Sequence, residues 1–165
     1  MHGGSIPPRS TCKSHPSGWL LRVSWSVGLT TAECEQIIAE ASPRVAPTKV
    51  ALTACNAWRV PRRSATATIL GAHGVDASDS QVVRYGPGGE YVWHTDGPTR
   101  ARTLMIQLSA PRDYEGGRLE VQEEGSVRVG GNERGSITEF DSTLQHRVTR
   151  LESGERMALI VWFSS

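Results

Sequence analysis

Val82-Val83-Arg84-Tyr85-Gly86-Pro87-Gly88-Gly89-Glu90-Tyr91-Val92-Trp93-His94-Thr95-Asp96 is the stretch on which the reading of this chain turns. Gln81 to Tyr85 is a short strand-like run of apolar, β-branched and aromatic residues. The Gly/Pro-rich loop that follows cannot be helical. It ends by presenting His94 and Asp96. In extended backbone, residues two apart point to the same side, so an imidazole and a carboxylate are offered together to one point. Far downstream stand a third candidate ligand, His146, and, ten residues later, Arg156.

Downstream of Asp96 the pattern is strand and turn throughout. Strands are expected over Thr103 to Ser109, Arg118 to Glu123, Ser126 to Val129, Ser136 to Phe140, His146 to Leu151 and Arg156 to Phe163. Turn signals lie between them at Pro111-Arg112-Asp113, Gly116-Gly117, Gly130-Gly131-Asn132 and Ser153-Gly154. Many short strands with regular punctuation make the chain mainly β, a sandwich, jelly roll or barrel. Upstream, partial alternation over Trp19 to Val27 predicts a strand. Thr30 stands three residues before Glu33, the spacing of a capping box, and opens a helix over Thr31 to Ala41 that Ser42-Pro43 stops. Lys49 to Ala54 and Ala65 to Leu70 read as two further strands, joined by an irregular turn around Arg59 to Arg63, and Gly71 to Ser80 as a polar connector. Residues 1–18 read as a flexible lead-in and 19–165 as one domain, with the helix packed on the outside.

The last strand has a property of its own. Arg156, Ala158, Ile160 and Trp162 share one face, and Met157, Leu159, Val161 and Phe163 the other. Both faces are largely apolar, which predicts a central strand covered on both sides. An arginine on such an inner face must meet an anion, because an unpaired buried charge costs on the order of several kcal/mol. A carboxylate of the protein or of a ligand is therefore expected beside Arg156.

Two neutral imidazoles and one carboxylate, with several coordination positions left open, form the facial triad of non-haem Fe(II) oxygenases, and His94, Asp96 and His146 supply that set. The series Tyr85-Gly-Pro-Gly-Gly-Glu-Tyr91-Val-Trp-His94-Thr-Asp96, then Tyr114-Glu-Gly-Gly117-Arg-Leu119, then His146-Arg-Val148-Thr, Gly154-Glu-Arg156 and Trp162, resembles the prolyl 4-hydroxylase-like branch of the 2-oxoglutarate- and Fe(II)-dependent dioxygenases. The resemblance covers Gln81 to Ser165, with weaker matches at the Leu29 to Ala41 helix and at Arg62-Arg63-Ser64. It implies a double-stranded β-helix (jelly roll), with His94, Asp96 and His146 as iron ligands. It also implies that 2-oxoglutarate chelates the iron, its far carboxylate pairing with Arg156 and a second partner, for which Thr103 and Gln107 are both candidates. Tyr85 and Tyr91 match tyrosines that line the cosubstrate and substrate space, and Trp162 an aromatic near the iron. The implied reaction consumes O2 and 2-oxoglutarate, releases succinate and CO2, and hydroxylates a C–H bond. Asp96, a carboxylate rather than a small residue, favours hydroxylation over halogenation.

The substrate expected is a free amino acid or small natural-product intermediate, with a prolyl residue of a protein as the alternative. Arg100 and Arg102 follow Asp96 where a loop would overhang the iron, and one of them is a candidate clamp for a substrate carboxylate. The branch that demethylates nucleic acids carries a second arginine where this chain has Trp162. A net charge of +1 and a pI near 7.8 supply no basic field, so nucleic acid is not expected as a partner. No apolar run reaches the length of a membrane span, and no secretory signal is recognised. Cys12, Cys34 and Cys55 are odd in number and widely spaced, as expected of a reduced, cytoplasmic protein. Two rivals share parts of this pattern. A zinc hydrolase could use the same ligands with water, though hydrolysis does not require Arg156. A non-catalytic jelly-roll binding module would have no use for an open triad.

Overall fold

The computed structural model describes residues 22–24, 28–48 and 54–164. The strands are β1 (Arg22–Ser24), β2 (Ala46–Pro47), β3 (Asn56–Arg59), β4 (Ser80–Tyr85), β5 (Tyr91–His94), β6 (Arg100–Gln107), β7 (Tyr114–Gly116), β8 (Leu119–Glu123), β9 (Ser126–Val129), β10 (Ile137–Asp141), β11 (His146–Val148), β12 (Leu151–Gly154) and β13 (Arg156–Ser164). Two helices, α1 (Thr31–Ala41) and α2 (Ala65–Ala72), precede β4, and one 3-10 turn covers Pro111–Asp113. All the pairings are antiparallel, in a seven-stranded sheet ordered β1-β10-β6-β13-β4-β3-β2, a four-stranded sheet ordered β5-β11-β8-β9, and a two-stranded ribbon of β12 and β7. This is the jelly-roll, or double-stranded β-helix, architecture.

β13 lies between β4 and β6 in the large sheet, the central position its apolar faces require. Met157, Leu159 and Val161 pack with Cys34, Ile37 and Ala41 of α1 and Leu70 of α2, closing a core on the helical side. Ala158, Ile160 and Trp162 point the other way, into a second core with Leu119, Val121, Phe140 and Val148. β6 obeys the same alternation. Leu104 and Ile106, with Leu108 just past the end of the strand, join the helical core, and Met105 the second core. The period of two thus gives each central strand one face for support and one for chemistry.

α1 starts as its capping box dictates: Thr30 Oγ1 accepts the Glu33 N–H at 3.3 Å, and Glu33 Oε2 accepts the Thr30 N–H at 2.7 Å. Of the strand expected over Trp19 to Val27, Arg22–Ser24 forms β1 against β10, and the rest lies outside the described residues. The strand expected over Lys49 to Ala54 falls almost wholly outside them as well. Arg59, expected in a turn, ends β3.

The strand expected over Ala65 to Leu70 is instead the helix α2. Its apolar content suits either structure, but Thr66, Ile69 and Leu70 are the buried residues, the i, i+3, i+4 spacing of a helix on a sheet. Two caps start it. Ser64 Oγ accepts the Ala67 N–H at 3.0 Å, and the Glu40 carboxylate, reaching across from α1, accepts the N–H groups of Ala65 at 3.1 Å and Thr66 at 2.8 Å and the Thr66 hydroxyl at 2.8 Å. Burial pushes the Glu40 carboxyl up, but these bonds to Thr66 and Ala65 outweigh it and hold it below its ordinary value. A cap from a distant helix is invisible to local patterning. Glu40→Ala is expected to lower stability by about 1–2 kcal/mol, the size of a lost helix cap, read as a lower midpoint in urea unfolding.

Candidate metal centre

The strands of the small sheet bring the two histidines together. His146 of β11 pairs in register with His94 of β5, and the ladder shifts immediately afterwards, between His146 and Val148. Asp96 lies just past β5, where its N–H donates to the Ser142 carbonyl at 3.0 Å. One ligand atom from each of His94, Asp96 and His146 lies within 4.8 Å of the others. His94 Nε2 is 3.8 Å from Asp96 Oδ1, and His146 Nε2 is 3.6 Å from Asp96 Oδ2, with the three side chains 13%, 5% and 8% exposed for His94, His146 and Asp96.

The same local device orients both imidazoles. The Nδ1–H of His94 donates to the Val92 carbonyl at 2.8 Å, and that of His146 to the Leu144 carbonyl at 3.0 Å, each two residues back. A carbonyl can only accept, so Nε2 of each ring is left as a bare lone pair turned towards Asp96. Packing fixes the ring planes: Tyr91 stacks on His94 with centroids 3.9 Å apart, His94 and His146 are 4.1 Å apart, and Phe140 lies 4.7 Å from His146.

Electrostatics keep His94 and Asp96 in their ligand forms. Burial lowers the His94 pKa, with the neighbouring His146 adding to the effect, so the neutral ring is favoured. Burial raises the Asp96 carboxyl, but interaction with His146, the Thr103 hydroxyl and the Trp162 indole outweighs it and brings the group down to about 2. Two neutral nitrogens and one carboxylate oxygen, open on one side, suit a divalent iron.

Arg156 meets the description given by its sequence position. It is 2% exposed at the start of β13. Its Nη2 rests against the Met105 sulfur at 3.5 Å, its guanidinium lies 5.7 Å from the Tyr85 ring, and its Nη1 has no hydrogen-bond partner. No ion pair to Arg156 occurs among the described residues. A buried guanidinium nitrogen without an acceptor among the described residues makes Arg156 a candidate partner for an anion.

The 2OG-Fe(II) oxygenase superfamily model matches residues 80–164, the segment that carries every one of these groups. The chain belongs to the 2OG-Fe(II) oxygenase superfamily. It is 37% identical over 87 residues to a PKHD-type hydroxylase of Parvibaculum lavamentivorans and 35% identical over 89 residues to one of Hyphomonas neptunium. Those matches cover 50% and 48% of this chain and 40% of each relative, so the aligned stretch is about two fifths of the relatives' length. In fold it is similar to the crystal structure of a Pseudomonas putida prolyl-4-hydroxylase, with a TM-score of 0.74 at 19% identity, covering 91% of this chain and 94% of that one. It is also similar to a prolyl hydroxylase from Trichoplax adhaerens solved with a hypoxia inducible factor peptide, with a TM-score of 0.67 at 16% identity, covering 81% and 77%. Superfamily membership implies Fe(II), 2-oxoglutarate and O2, and the donor set and the unpartnered Arg156 nitrogen both fit them.

The other residues singled out in the sequence divide into two groups. His94, Asp96 and His146 line a cavity of 190 Å3 with Tyr85, Tyr91, Arg100, Thr103 and Trp162. Arg102 does not line it. That side chain pairs with Glu139 at 2.9 Å and lies over Phe163, 4.4 Å from the ring centroid. Thr103 is also not placed as a partner of Arg156: its hydroxyl donates to Asp96 Oδ2 and shares a 2.8 Å hydrogen bond with Ser142. Gln107, the other candidate, is 2% exposed, has an unpartnered Oε1, and borders a cavity together with Arg156.

Patterning missed Ser142, Asp79 and Arg59. Asp79 accepts from Arg59 and from Arg100 Nε at 3.0 Å, and Arg100 lies 3.6 Å above the centre of the Trp162 ring. Burial raises the Asp79 carboxyl, but the two arginines outweigh it and hold it ionised. Nothing local to Asp79 marks it, since the turn before β4 and the register of β3 on β4 bring these groups together. Removing the hydroxyl that holds Asp96, in Thr103→Val, is expected to weaken Mn(II) binding about tenfold, the lower end for a group that orients a ligand. An electron paramagnetic resonance titration of free Mn(II) reads this directly.

Proposed function

We propose that the protein is an Fe(II)- and 2-oxoglutarate-dependent hydroxylase of an unactivated C–H bond. The observation that carries the reading is the His94, Asp96 and His146 cluster in one barrel with a buried guanidinium that has no anion of its own. His94 Nε2, His146 Nε2 and an Asp96 oxygen would hold the metal. Iron, 2-oxoglutarate and O2 together supply the oxidising chemistry, one oxygen atom of O2 going to succinate as CO2 leaves and the other into the substrate C–H bond.

The chain's own contribution is positioning and exclusion. Thr103 and Ser142 hold Asp96, and the Val92 and Leu144 carbonyls hold the rings with Nε2 inward. Arg156 would take the far carboxylate of 2-oxoglutarate through two parallel hydrogen bonds. Gln107 and Tyr85 flank it, Gln107 facing Ala158 across the ladder and Tyr85 facing Arg156. Ala158 is the one small residue on the inward face of β13, between Arg156 and Ile160, and leaves the lane along which the cosubstrate would lie. Val148, Ile160 and Phe140 keep water from the buried side of the cluster.

The substrate reading rests on the mouth of the cavity. Its 190 Å3 holds a group about the size of one amino-acid side chain, and Arg100, stacked on Trp162 and tied to Asp79, stands at its rim. Arg100 gives its Nε and Nη2 to Asp79, at 3.0 and 3.3 Å, and a substrate carboxylate meeting its remaining nitrogen would suit a free amino acid or a small acid as substrate. Hydroxylation of a prolyl residue in a peptide is the second reading. It is favoured by the likeness to prolyl hydroxylases, one of them solved with a peptide.

The test is anaerobic addition of Fe(II) and 2-oxoglutarate, followed by the weak visible charge-transfer band of a chelated 2-oxo acid. The band should be lost in His146→Ala and should require at least about tenfold more 2-oxoglutarate in Arg156→Ala, in line with the loss of a charged hydrogen-bonded pair. No band, with tight zinc binding in its place, would return the protein to the hydrolase reading. Succinate release with candidate free amino acids against prolyl peptides, repeated on Arg100→Ala, separates the two substrate readings: a large rise in KM for a free acid is expected.

A further inference from the structure

Two arginines stand at the mouth of the iron cavity, and one carboxylate serves both. Arg59 closes β3, Arg100 opens β6, and Asp79 lies in the turn just before β4. Asp79 Oδ1 accepts from Arg59 Nη1 and from Arg100 Nη2 at 3.3 Å, while Asp79 Oδ2 accepts from Arg100 Nε at 3.0 Å. The two guanidinium groups therefore converge on a single oxygen. Both also lie over the Trp162 ring, Arg100 at 3.6 Å and Arg59 at 5.9 Å from its centroid. Among these three charged side chains one positive charge is left unmatched.

The two arginines are not equivalent. Arg100 is held by a fork of two bonds and a close stack, and its side chain is 23% exposed. Arg59 gives Asp79 one nitrogen only, its side chain is 65% exposed, and its other nitrogens have no partner among the described residues. Beside it stands Gln81. The two are directly opposed in the β3–β4 ladder, so their side chains share a face. That face is the inner one, since Ala57, Val83 and Tyr85 of the same parity belong to the second core. Both Arg59 and Gln81 line the iron cavity, and the half-buried Gln81 amide makes no side-chain hydrogen bond among the described residues. A guanidinium edge and an amide, both without partners, thus face the same small space from adjacent strands.

We propose that Arg59 and Gln81 are the residues that determine substrate specificity, and that they read the free α-carboxylate and α-ammonium of an amino acid. The carboxylate seats on the open edge of Arg59 and the remaining nitrogen of Arg100, where a planar anion meets planar donors. The Gln81 amide oxygen accepts from the ammonium. The substrate side chain then fills the 190 Å3 space beside the metal ligands. An internal residue of a peptide offers neither charge and leaves both groups unsatisfied. This inference rests on the hydroxylase reading above.

The experiment measures succinate release, with Fe(II), 2-oxoglutarate and O2 present, for the twenty common L-amino acids, their carboxamides, their N-acetyl derivatives and prolyl peptides. The acid turned over best is expected to exceed its carboxamide and its N-acetyl derivative at least about tenfold in kcat/KM, the scale of a lost charged hydrogen bond. Arg59→Ala should bring the acid-to-carboxamide ratio close to one, with Arg59→Lys restoring part of it. Gln81→Met should do the same for the ratio of acid to N-acetyl acid. A merely structural role would depress all substrates alike and leave both ratios where they were, and that result overturns the proposal. So does equal use of acid and carboxamide by the unmodified protein, turnover of prolyl peptides alone, or no stimulation by any amino acid. The charge-transfer band with Fe(II) and 2-oxoglutarate, read first on the same sample, separates the failures. With the band present these outcomes overturn this inference alone; without it the hydroxylase reading falls and this inference with it.

Discussion

Arg156 stands inside the barrel with 2% of its surface exposed, a thioether against one nitrogen and nothing against another. A charge so placed is costly, and an anion joining it would offset that cost. The strand that carries it sits at the centre of the large sheet. Its even neighbours Ala158, Ile160 and Trp162 point with it into the barrel, while Met157, Leu159 and Val161 are anchored under α1 and α2. The helices thus have a part in the chemistry. They cover one face of β13 so that the other can be given to ligands.

The metal centre is built from separate parts of the chain, but each is held locally. Both histidines use a carbonyl two residues back to set their tautomer, and Asp96 is held through its backbone by Ser142 and through its side chain by Thr103. Such a cluster is held in place by the chain itself, with the His94 ring favoured in its neutral form and the Asp96 carboxyl ionised. At the mouth, Asp79 performs the corresponding service for Arg59 and Arg100, whose planar groups are turned towards the Trp162 ring. Among the described residues no helix is long and apolar enough to cross a membrane.

Much of this was legible from the chain alone. The alternation in Arg156 to Phe163, the capping box at Thr30 and Glu33, and the pairing of His94 and Asp96 by period two are local facts, and each is present in three dimensions. The error at Ala65 to Leu70 is instructive because local propensity was close to neutral there. The choice of helix was made by Glu40, which lies 25 residues before Ala65 and satisfies two of the N–H groups that a helix start leaves bare. Thr103 and Gln107 could not be told apart as partners of Arg156, because both lie on the inward parity of β6. Only the distance along the barrel separates them, Thr103 at the metal end and Gln107 at the guanidinium end.

What the sequence by itself determined is the candidate ligand set, the central strand and the burial of Arg156 on its inward face, since these follow from residue type and from a period of two. Tertiary structure alone decided which arginine reaches the cavity and which turns away, and what holds Asp96. These depend on strand register and on the volume left between elements, and neither is written in any one segment of the chain.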